Sequence, residues 1–378
     1  MKIVIAPDSF KGSLTAKQVA DAIETGIKKV DQDIEIIKVP VADGGEGTVE
    51  AILTSVGGEI IEATVKDPLL NDITASYGIL KDEQTAVIEM AAASGLVLVP
   101  NSKRNPWFTT TYGTGQLFVD ALDRGCRKFI VGLGGSATND GGSGFLKALG
   151  VHFLDIDGND TGYGGQSLVP IHTIDISKLD KRIQECEIIV ACDVTNPLCG
   201  PHGASAVYGP QKGADPEMVN TLDKALYAYG KLLEKAFGIP VLEVPGSGAA
   251  GGFGAALISL GAKLNPGIDI ITKVAELEKK LIGADLVITG EGSIDFQTAF
   301  GKTPSGVAEL ANKFNIPVIA LTGNIGERVE ELYDKGFDSI FAICDGPMSL
   351  DESMSKAEKL LIETSERIIR LIKVYKNN

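Results

Sequence analysis

Short apolar runs alternate with helical patterns at both ends of the chain, and this alternation constrains the fold more than any other feature. Near the amino terminus, runs at Val4–Ala6 and Ile34–Val39 flank a helical pattern that starts after Thr15. Near the carboxyl terminus, helical patterns at about 303–314 and 326–335 separate three further runs, which are Asp285–Thr289, Ile316–Leu321 and Ser339–Ile343. A long amphipathic helix is predicted over about 350–375. Strands that alternate with helices in this way form parallel sheets.

These five runs predict one flavodoxin-like, doubly wound parallel sheet of strand order 2-1-3-4-5, to which both termini contribute. The middle of the chain has a different residue pattern, with segments that suit a mixed sheet and with most of the glycine clusters. The sequence therefore predicts an α/β protein of two domains. Residues 1–67 and 281–378 form the discontinuous flavodoxin-like domain, and 68–280 form an inserted mixed α/β domain. The length of 378 residues agrees, because single cores stop growing near about 250–300 residues.

The charge balance excludes several partners. Thirty-five basic against fifty acidic residues give a net charge of −15, which repels nucleic acid and anionic membrane surfaces. The five cysteines are odd in number and sparse, as is typical of a reducing compartment. Asp8 and Lys11 arrive too early for a signal peptide, and Pro245 with several glycines interrupts the longest uncharged stretch. We therefore expect a cytoplasmic protein whose ligands are small molecules; the oligomeric state is left open.

Two glycine-rich segments match the dinucleotide-binding pattern, Gly132–Ala137 and Gly246–Gly251. A dinucleotide-binding fingerprint belongs at the first strand-to-helix turn of its domain, however, and there the sequence has Pro7–Gly12. Several loops combine glycines and hydroxyls ahead of helices, which leaves backbone amides able to bind an anion. They are Thr111–Gly115, Gly134–Gly142, Gly246–Gly252 and Gly301–Pro304. Their number favours a phosphate-rich ligand, with purely structural turns as the alternative.

Charged residues follow the predicted strands of the terminal sheet. Asp8 and Lys11 come after strand 1, and Glu291 and Asp295 come after strand 3, where the strand order reverses and ligands bind. Asp43 and Glu46 follow strand 2, and Lys302 with Thr303 begins the next helix. The inserted domain adds charged residues in loops, namely Lys66, Arg104, Asp193 and Lys212. Carboxylates beside lysines and free amides suit phosphoryl transfer, although each acid is as readily a helix cap.

The chain resembles the bacterial glycerate kinases over nearly its whole length. The resemblance rests on long segments in the order of that family, which are Ala6–Lys11, Val39–Glu50, Glu89–Leu96, Gly134–Gly142, Ala191–Leu198, Gly209–Ala214 and Thr289–Gly292. It implies a two-domain α/β fold with a flavodoxin-like part. It also implies ATP-dependent phosphorylation of D-glycerate to 2- or 3-phosphoglycerate with Mg²⁺.

From this resemblance we expect in-line transfer of a phosphoryl group in a cleft between the two domains. The expected catalytic residues are Asp8, Asp193, Asp295 and Lys11, with Mg²⁺ on Asp193 and Asp295. The expected cofactor-binding residues are Gly134, Gly135, Ser136, Asn139, Lys212, Gly248, Gly251, Lys302 and Thr303. The expected substrate-binding residues are Asp43, Glu46, Lys66 and Arg104.

Two other functions remain open from the residues alone. One is an NAD-dependent hydroxy-acid dehydrogenase, which the two glycine patterns suggest. The other is a non-catalytic ligand-sensing protein that closes around its ligand.

Overall fold

The structure is a computed structural model that describes residues 1–299 and 303–376. It divides into two compact units. Unit 1 comprises Met1–Asp43, Glu50–Gly57 and Gly267–Asn378, and unit 2 comprises Gly44–Val49 and Gly58–Pro266. The boundaries differ from those expected at residues 67/68 and 280/281, because the strand after Gly57 joins the sheet of unit 2 and the helices after Gly267 join unit 1.

The strands and α-helices have the following bounds. The strands are β1 Lys2–Ile5, β2 Glu35–Lys38, β3 Gly58–Lys66, β4 Asp72–Leu80, β5 Thr85–Glu89, β6 Lys128–Gly132, β7 His152–Leu154, β8 Thr173–Asp175, β9 Glu187–Ala191, β10 Lys263–Asn265, β11 Leu286–Ile294, β12 Val318–Ile325 and β13 Ser339–Ala342. The helices are α1 Ala16–Val30, α2 Thr48–Val56, α3 Ala91–Ser94, α4 Tyr112–Asp123, α5 Ser143–Ala148, α6 Ala204–Tyr208, α7 Pro216–Phe237, α8 Ala249–Ser259, α9 Gly267–Val274, α10 Leu277–Leu281, α11 Thr303–Asn312 and α12 Leu350–Lys376.

Unit 1 contains a parallel five-stranded sheet of order β2-β1-β11-β12-β13. This is the predicted flavodoxin-like order, and it is confirmed. The central strand β1 pairs with β2 on one side and with β11 on the other, so the strand order reverses between β1 and β11. Ile3 and Ile5 of β1 are fully buried, as expected for a strand that is covered on both faces.

Helix α1 shows how local sequence and packing agree in unit 1. The Thr15 side chain accepts from the Gln18 amide and the Gln18 side chain accepts from the Thr15 amide, which forms a capping box. Val19, Ile23 and Ile27 bury one face of the helix in the core that α12 shares. At Gly26 a β-carbon would come within 2.3 Å of the Ile362 carbonyl oxygen of α12, so only glycine permits this approach.

Unit 2 contains a mixed six-stranded sheet of order β10-β9-β6-β5-β4-β3. Strands β5, β6, β9 and β10 are parallel, whereas β3 and β4 are antiparallel. A two-stranded sheet of β7 and β8 accompanies it. The carboxyl ends of β5, β6 and β9 therefore lie at one edge of the sheet, where the glycine-rich loops begin.

Two local expectations were wrong. The segment near 326–335 forms a 3-10 helix at Val329–Lys335 in place of an α-helix. Strand β11 runs to Ile294, five residues beyond the predicted Thr289. Among the described residues, no helix is both long enough and apolar enough to cross a membrane.

Candidate active site

The carboxyl edge of the unit 1 sheet brings together residues from two loops. Asp8 follows β1, and its amide donates to the Gly290 carbonyl oxygen of β11 at 2.8 Å. The Lys11 ammonium lies 3.0 Å from a carboxylate oxygen of Asp43, which follows β2. The expectation that the charged residues after β1 and β2 meet at this edge therefore agrees with the structure.

Asp8 is the buried carboxyl of this group, with 7% of its surface exposed. Burial, and then the nearby Asp43 carboxylate, raise its pKa from 3.8 to about 6, while the Ser9 amide, the Thr303 side chain and Lys11 oppose the rise. Burial by itself lowers the pKa of Lys11, but the carboxylates of Asp43, Asp8 and Glu291 outweigh it and raise that pKa. The arrangement gives one carboxyl that gains and loses its proton near neutral pH beside a lysine that stays charged.

A carboxyl with a pKa of about 6 predicts a specific pH profile. If Asp8 accepts a proton in the reaction, it must be ionised, so kcat/KM rises with pH up to about 6 and then levels off. We expect an acidic limb of slope one, measured with saturating phosphoryl donor between pH 4.5 and 8. A limb centred near pH 4 would show that the limiting group is an ordinary exposed carboxyl.

Glu291 of β11 faces this group. Because β11 extends to Ile294, Asp295 lies five residues beyond Gly290, or roughly 16 Å along the strand. The Asp295 carboxylate accepts from the Gln297 amide at 2.8 Å, which is the role of a turn residue. Glu291 contributes to the electrostatics of Lys11 and accepts from the Thr298 hydroxyl at 2.8 Å. The expectation that Asp295 shares a site with Asp8 stays a prediction, and Glu291 is the carboxylate of β11 that acts on Lys11.

Two further expected residues lie at the start of α11. Thr303, the first residue of this helix, is buried; its hydroxyl lowers the pKa of Asp8 but makes no hydrogen bond of its own among the described residues. Lys302, expected to contact the phosphates, lies outside the described residues.

In unit 2, the loop after β6 carries several of the expected cofactor-binding residues. Gly134 lies against Gly45. A β-carbon on Gly134 would come within 2.6 Å of the Gly45 α-carbon. Gly135 is exposed and has a φ of +73°, which favours glycine. Ser136 is half-buried and accepts from the Lys212 ammonium at 2.8 Å. The loop thus places the Ser136 hydroxyl and the backbone of two glycines, which have no side chain, at the carboxyl edge of the sheet.

Lys212 is a buried cation, with 2% of its surface exposed. Its ammonium also donates to the Thr138 carbonyl oxygen at 2.6 Å. Burial lowers its pKa to about 7, although Asp140 opposes this. The backbone of Arg104 approaches Gly213 closely, and the Arg104 Nε atom is buried without an acceptor among the described residues. A buried guanidinium donor without an acceptor among the described residues suits an anionic ligand.

Asp140 is a buried acidic residue of this loop that was not singled out from the sequence. Its carboxylate is fully buried and accepts from the Thr111 amide at 2.8 Å and the Gly142 amide at 3.1 Å. It also accepts from the Thr111 and Thr110 hydroxyls and the Gly144 amide. The carboxylate therefore fills the amino-terminal ends of α4 and α5, which we expected to attract phosphate. An aspartate just ahead of a glycine-rich helix start is the available sequence signal.

Three expected cofactor-binding residues have packing roles in the structure. Gly248 and Gly251 are buried, and their α-carbons lie against the carbonyl oxygens of Pro197 and Thr138 respectively. The Gly248 amide donates to the Asn196 carbonyl oxygen at 3.0 Å. Asn139 is buried as well and donates to the Ser205 hydroxyl at 2.8 Å. These contacts hold the loops against each other, so they give no direct support to nucleotide binding.

The remaining expected residues are more exposed. Asp193 follows β9 at the same edge as Ser136, and its side chain is exposed. Glu46 is exposed in the Gly44–Val49 segment of unit 2. Lys66 forms an ion pair with Asp72, its register partner on β4, at 2.8 Å. The cross-strand pair accounts for Lys66 without a substrate.

No group of three or more histidine, cysteine or acidic side chains capable of holding a metal occurs within residues 1–299 and 303–376. The two expected magnesium ligands belong to different units, with Asp295 in unit 1 and Asp193 in unit 2. The described side chains therefore form no complete protein cage for a metal.

Comparison with known proteins fixes the class of this molecule. The profile of the glycerate kinase family matches residues 3–373. The chain is 48% identical to a glycerate 2-kinase of Escherichia coli K12, with 100% of both chains covered. It is also 48% identical to a glycerate kinase of Bacillus subtilis 168, with 100% of this chain and 99% of the relative covered. A crystal structure from Salmonella typhimurium LT2, assigned there as glycerate kinase 2, superposes with a TM-score of 0.91 at 48% identity over the full length of both chains.

The fold and these relatives define the chain as an enzyme of the kinase class, a phosphotransferase with an alcohol group as acceptor. It belongs to the glycerate kinase family. The resemblance noted from the sequence motifs is thereby confirmed. The alternatives of an NAD-dependent dehydrogenase and of a non-catalytic sensor gain no support from these relatives.

Proposed function

We propose that this enzyme transfers the γ-phosphoryl group of ATP to a hydroxyl of D-glycerate, with Mg²⁺ as cofactor. The observation that supports this proposal most directly is the Asp8 carboxyl, which is buried, has a pKa of about 6 and lies beside the Lys11–Asp43 ion pair. A general base works best when its pKa lies near the operating pH. Asp8 is therefore our candidate for the group that accepts the proton of the attacking hydroxyl.

Unit 2 supplies the donors for phosphate oxygens in this proposal. Kinases achieve catalysis mainly by positioning the phosphates and neutralising their charge. A protein of net charge −15 must gather its cations locally to bind ATP, and the candidates in unit 2 are the buried Lys212 and Arg104, whose Nε atom has no acceptor among the described residues. The prediction that both substrates bind between the two units stays a prediction.

The acidic residues fit a magnesium ion that is shared with the substrate. Mg²⁺ prefers oxygen ligands and in kinases is usually held by one or two carboxylates together with substrate phosphates. The exposed Asp193 at the edge of unit 2, and Asp43 or Glu291 at the edge of unit 1, supply suitable oxygens. The expected metal role of Asp295 stays a prediction; one of its carboxylate oxygens accepts from the Gln297 amide.

We further propose phosphorylation at the 2-hydroxyl. The support is the name of the Escherichia coli relative, glycerate 2-kinase, at 48% identity over the full length of both chains. The same Asp8 carboxyl serves a 2-hydroxyl or a 3-hydroxyl, so product analysis must separate the two.

A coupled assay of ADP release tests the proposal. We expect ADP release with ATP and D-glycerate that stops on addition of EDTA and returns with excess Mg²⁺. L-Glycerate, D-lactate and a reaction without acceptor are the controls, and ³¹P nuclear magnetic resonance of the product distinguishes 2- from 3-phosphoglycerate. ADP release that is independent of D-glycerate would refute the acceptor, and a 3-phosphoglycerate product would refute the regiochemistry alone.

A further inference from the structure

The Lys212 ammonium is directed at protein oxygens, and this orientation bears on which group meets the ligand. It donates to the Ser136 hydroxyl oxygen at 2.8 Å and to the Thr138 carbonyl oxygen at 2.6 Å. With 2% of its surface exposed, the lysine is covered by the loops that it joins. Lys212 therefore influences a ligand at the carboxyl edge of the sheet chiefly through its hydrogen bond to Ser136.

The hydrogen bond from Lys212 fixes what the Ser136 hydroxyl can do. In its charged form Lys212 has three donors and no acceptor, so the serine oxygen then accepts in this bond and keeps its own proton for another partner. Among residues 1–299 and 303–376, the Ser136 hydroxyl takes part in the bond from Lys212 and donates none of its own. Ser136 is half-buried and follows the exposed Gly135, so a ligand can reach it. A hydroxyl that accepts from a cation is also polarised into a stronger donor.

Backbone contacts hold both partners in place. On the side of Ser136, the Leu96 amide donates to the Gly135 carbonyl oxygen at 2.8 Å, and the Ala137 amide donates to the Ser94 carbonyl oxygen at 2.9 Å. On the side of Lys212, the Lys212 amide donates to the Gly209 carbonyl oxygen at 3.0 Å. Gly213 then turns with a φ of +96° against the Arg104 backbone. The donor geometry thus exists before a ligand binds.

We propose that the Ser136 hydroxyl donates a hydrogen bond to a phosphate oxygen of a bound substrate, and that Lys212 is a positioning residue that orients and polarises this hydroxyl. The proposal rests on the proposed function, and it replaces the expectation that Lys212 contacts the phosphate itself. The phosphate oxygen belongs either to the nucleotide or to phosphoglycerate.

Binding of ADP and of 2-phosphoglycerate to the full chain, measured separately by calorimetry, tests the proposal. We expect Ser136→Ala to weaken one of these ligands by about 10- to 100-fold, the range for a hydrogen bond to a charged group. The ligand that loses affinity identifies the source of the phosphate. Ser136→Thr keeps the hydroxyl and should retain affinity to within a few-fold. Lys212→Met should weaken the same ligand, and the double variant should bind no more weakly than Lys212→Met alone.

Lys147→Met is the matched control, because Lys147 is a largely buried lysine of unit 2 that pairs with Asp160. It should leave both affinities unchanged. Additive losses for Ser136→Ala and Lys212→Met would show that Lys212 contacts the ligand and would overturn the proposal. Wild-type affinity in Ser136→Ala for both ligands would overturn it as well. If Lys212→Met fails to fold, the Ser136→Ala and Ser136→Thr pair decides. Phosphate-ligand binding without turnover of D-glycerate would refute the proposed function and leave this assignment standing.

Discussion

Asp8→Asn is expected to lower kcat by about 10²–10⁴, the usual contribution of a general base. The substitution preserves the shape of a side chain that is 7% exposed, and it removes the ability to accept a proton. The KM for ATP should change little, since Asp8 is assigned to the hydroxyl and not to the phosphates. Steady-state kinetics at pH 7.5 with both substrates varied measure the two effects separately.

The same substitution is expected to stabilise the protein above neutral pH. The folded pKa of about 6 lies above the ordinary value of 3.8, so the folded state holds this proton more tightly than the unfolded state does. The stability contributed by the protonated form is present at low pH and is lost as the pH rises through about 6. At pH 8 the buried charge costs up to about 3 kcal/mol, which asparagine removes. Urea unfolding at pH 5 and pH 8 should show the larger gain at the higher pH, because only part of the cost is present at pH 5.

Asp338→Asn provides the matched control for both measurements. Asp338 is an exposed acid of unit 1 at the opposite end of the sheet, where its carboxylate accepts from the Val318 amide at 2.7 Å. We expect near-normal kcat and no pH-dependent gain in stability. Near-normal turnover in Asp8→Asn would refute Asp8 as the base. A loss of activity accompanied by a loss of stability would instead indicate a structural role.

The order of the terminal sheet was predictable because its strands are short apolar runs buried on both faces. Such runs stand out from the amphipathic helices between them, and chain connectivity then leaves few sheet orders. The meeting of Lys11 and Asp43 followed from the same reasoning, since carboxyl ends of adjacent parallel strands share an edge. The sequence therefore predicted which charged residues meet at the carboxyl edge of the unit 1 sheet.

The extent of β11 was not predictable from local pattern. The segment Thr289-Gly-Glu-Gly-Ser resembles a loop, because glycine is unfavourable within strands. It continues as a strand because β12 runs alongside, pairing Ser293 with Asn324 and Ile294 with Ile325. A Cβ at Gly290 would meet the Leu321 carbonyl oxygen at 2.0 Å, so glycine is required by tertiary contact. This pairing places Asp295 after the end of β11, five residues beyond Gly290.

The roles of Asp140 and Lys212 were equally invisible, because burial of a charged side chain depends on residues that are distant in the sequence. Lys212 lies 76 positions from Ser136 and 74 from Thr138, the two residues that accept from its ammonium. A lysine in a turn is ordinarily exposed. The glycine loops were recognised as special, but local sequence did not reveal that some of their amides bind the chain's own carboxylate.

Asp140→Ala is expected to destabilise the protein by about 3–5 kcal/mol, which is among the largest effects of a single substitution. The change leaves the amides of Thr111, Gly142 and Gly144 without their buried acceptor. It also removes the negative charge that opposes the lowered pKa of Lys212. Asp140→Asn keeps one acceptor oxygen and should lose less. Urea unfolding monitored by circular dichroism measures the difference.

Asp155→Ala is the control that distinguishes the loss of a buried carboxylate from the loss of any acidic side chain that accepts from backbone amides. The Asp155 carboxylate also accepts from backbone amides of unit 2, those of Asp157 and Asn159, but it lies in a solvent-accessible turn. Water can replace it there, so the stability should change little. At Asp140 the donors are covered by protein, so water cannot replace the carboxylate. Removing this carboxylate should also weaken phosphate-ligand binding, because the loop that carries Ser136 is then no longer hydrogen-bonded to the start of α4. Equal stability losses in the two variants would show that burial of the Asp140 network contributes nothing beyond an ordinary turn.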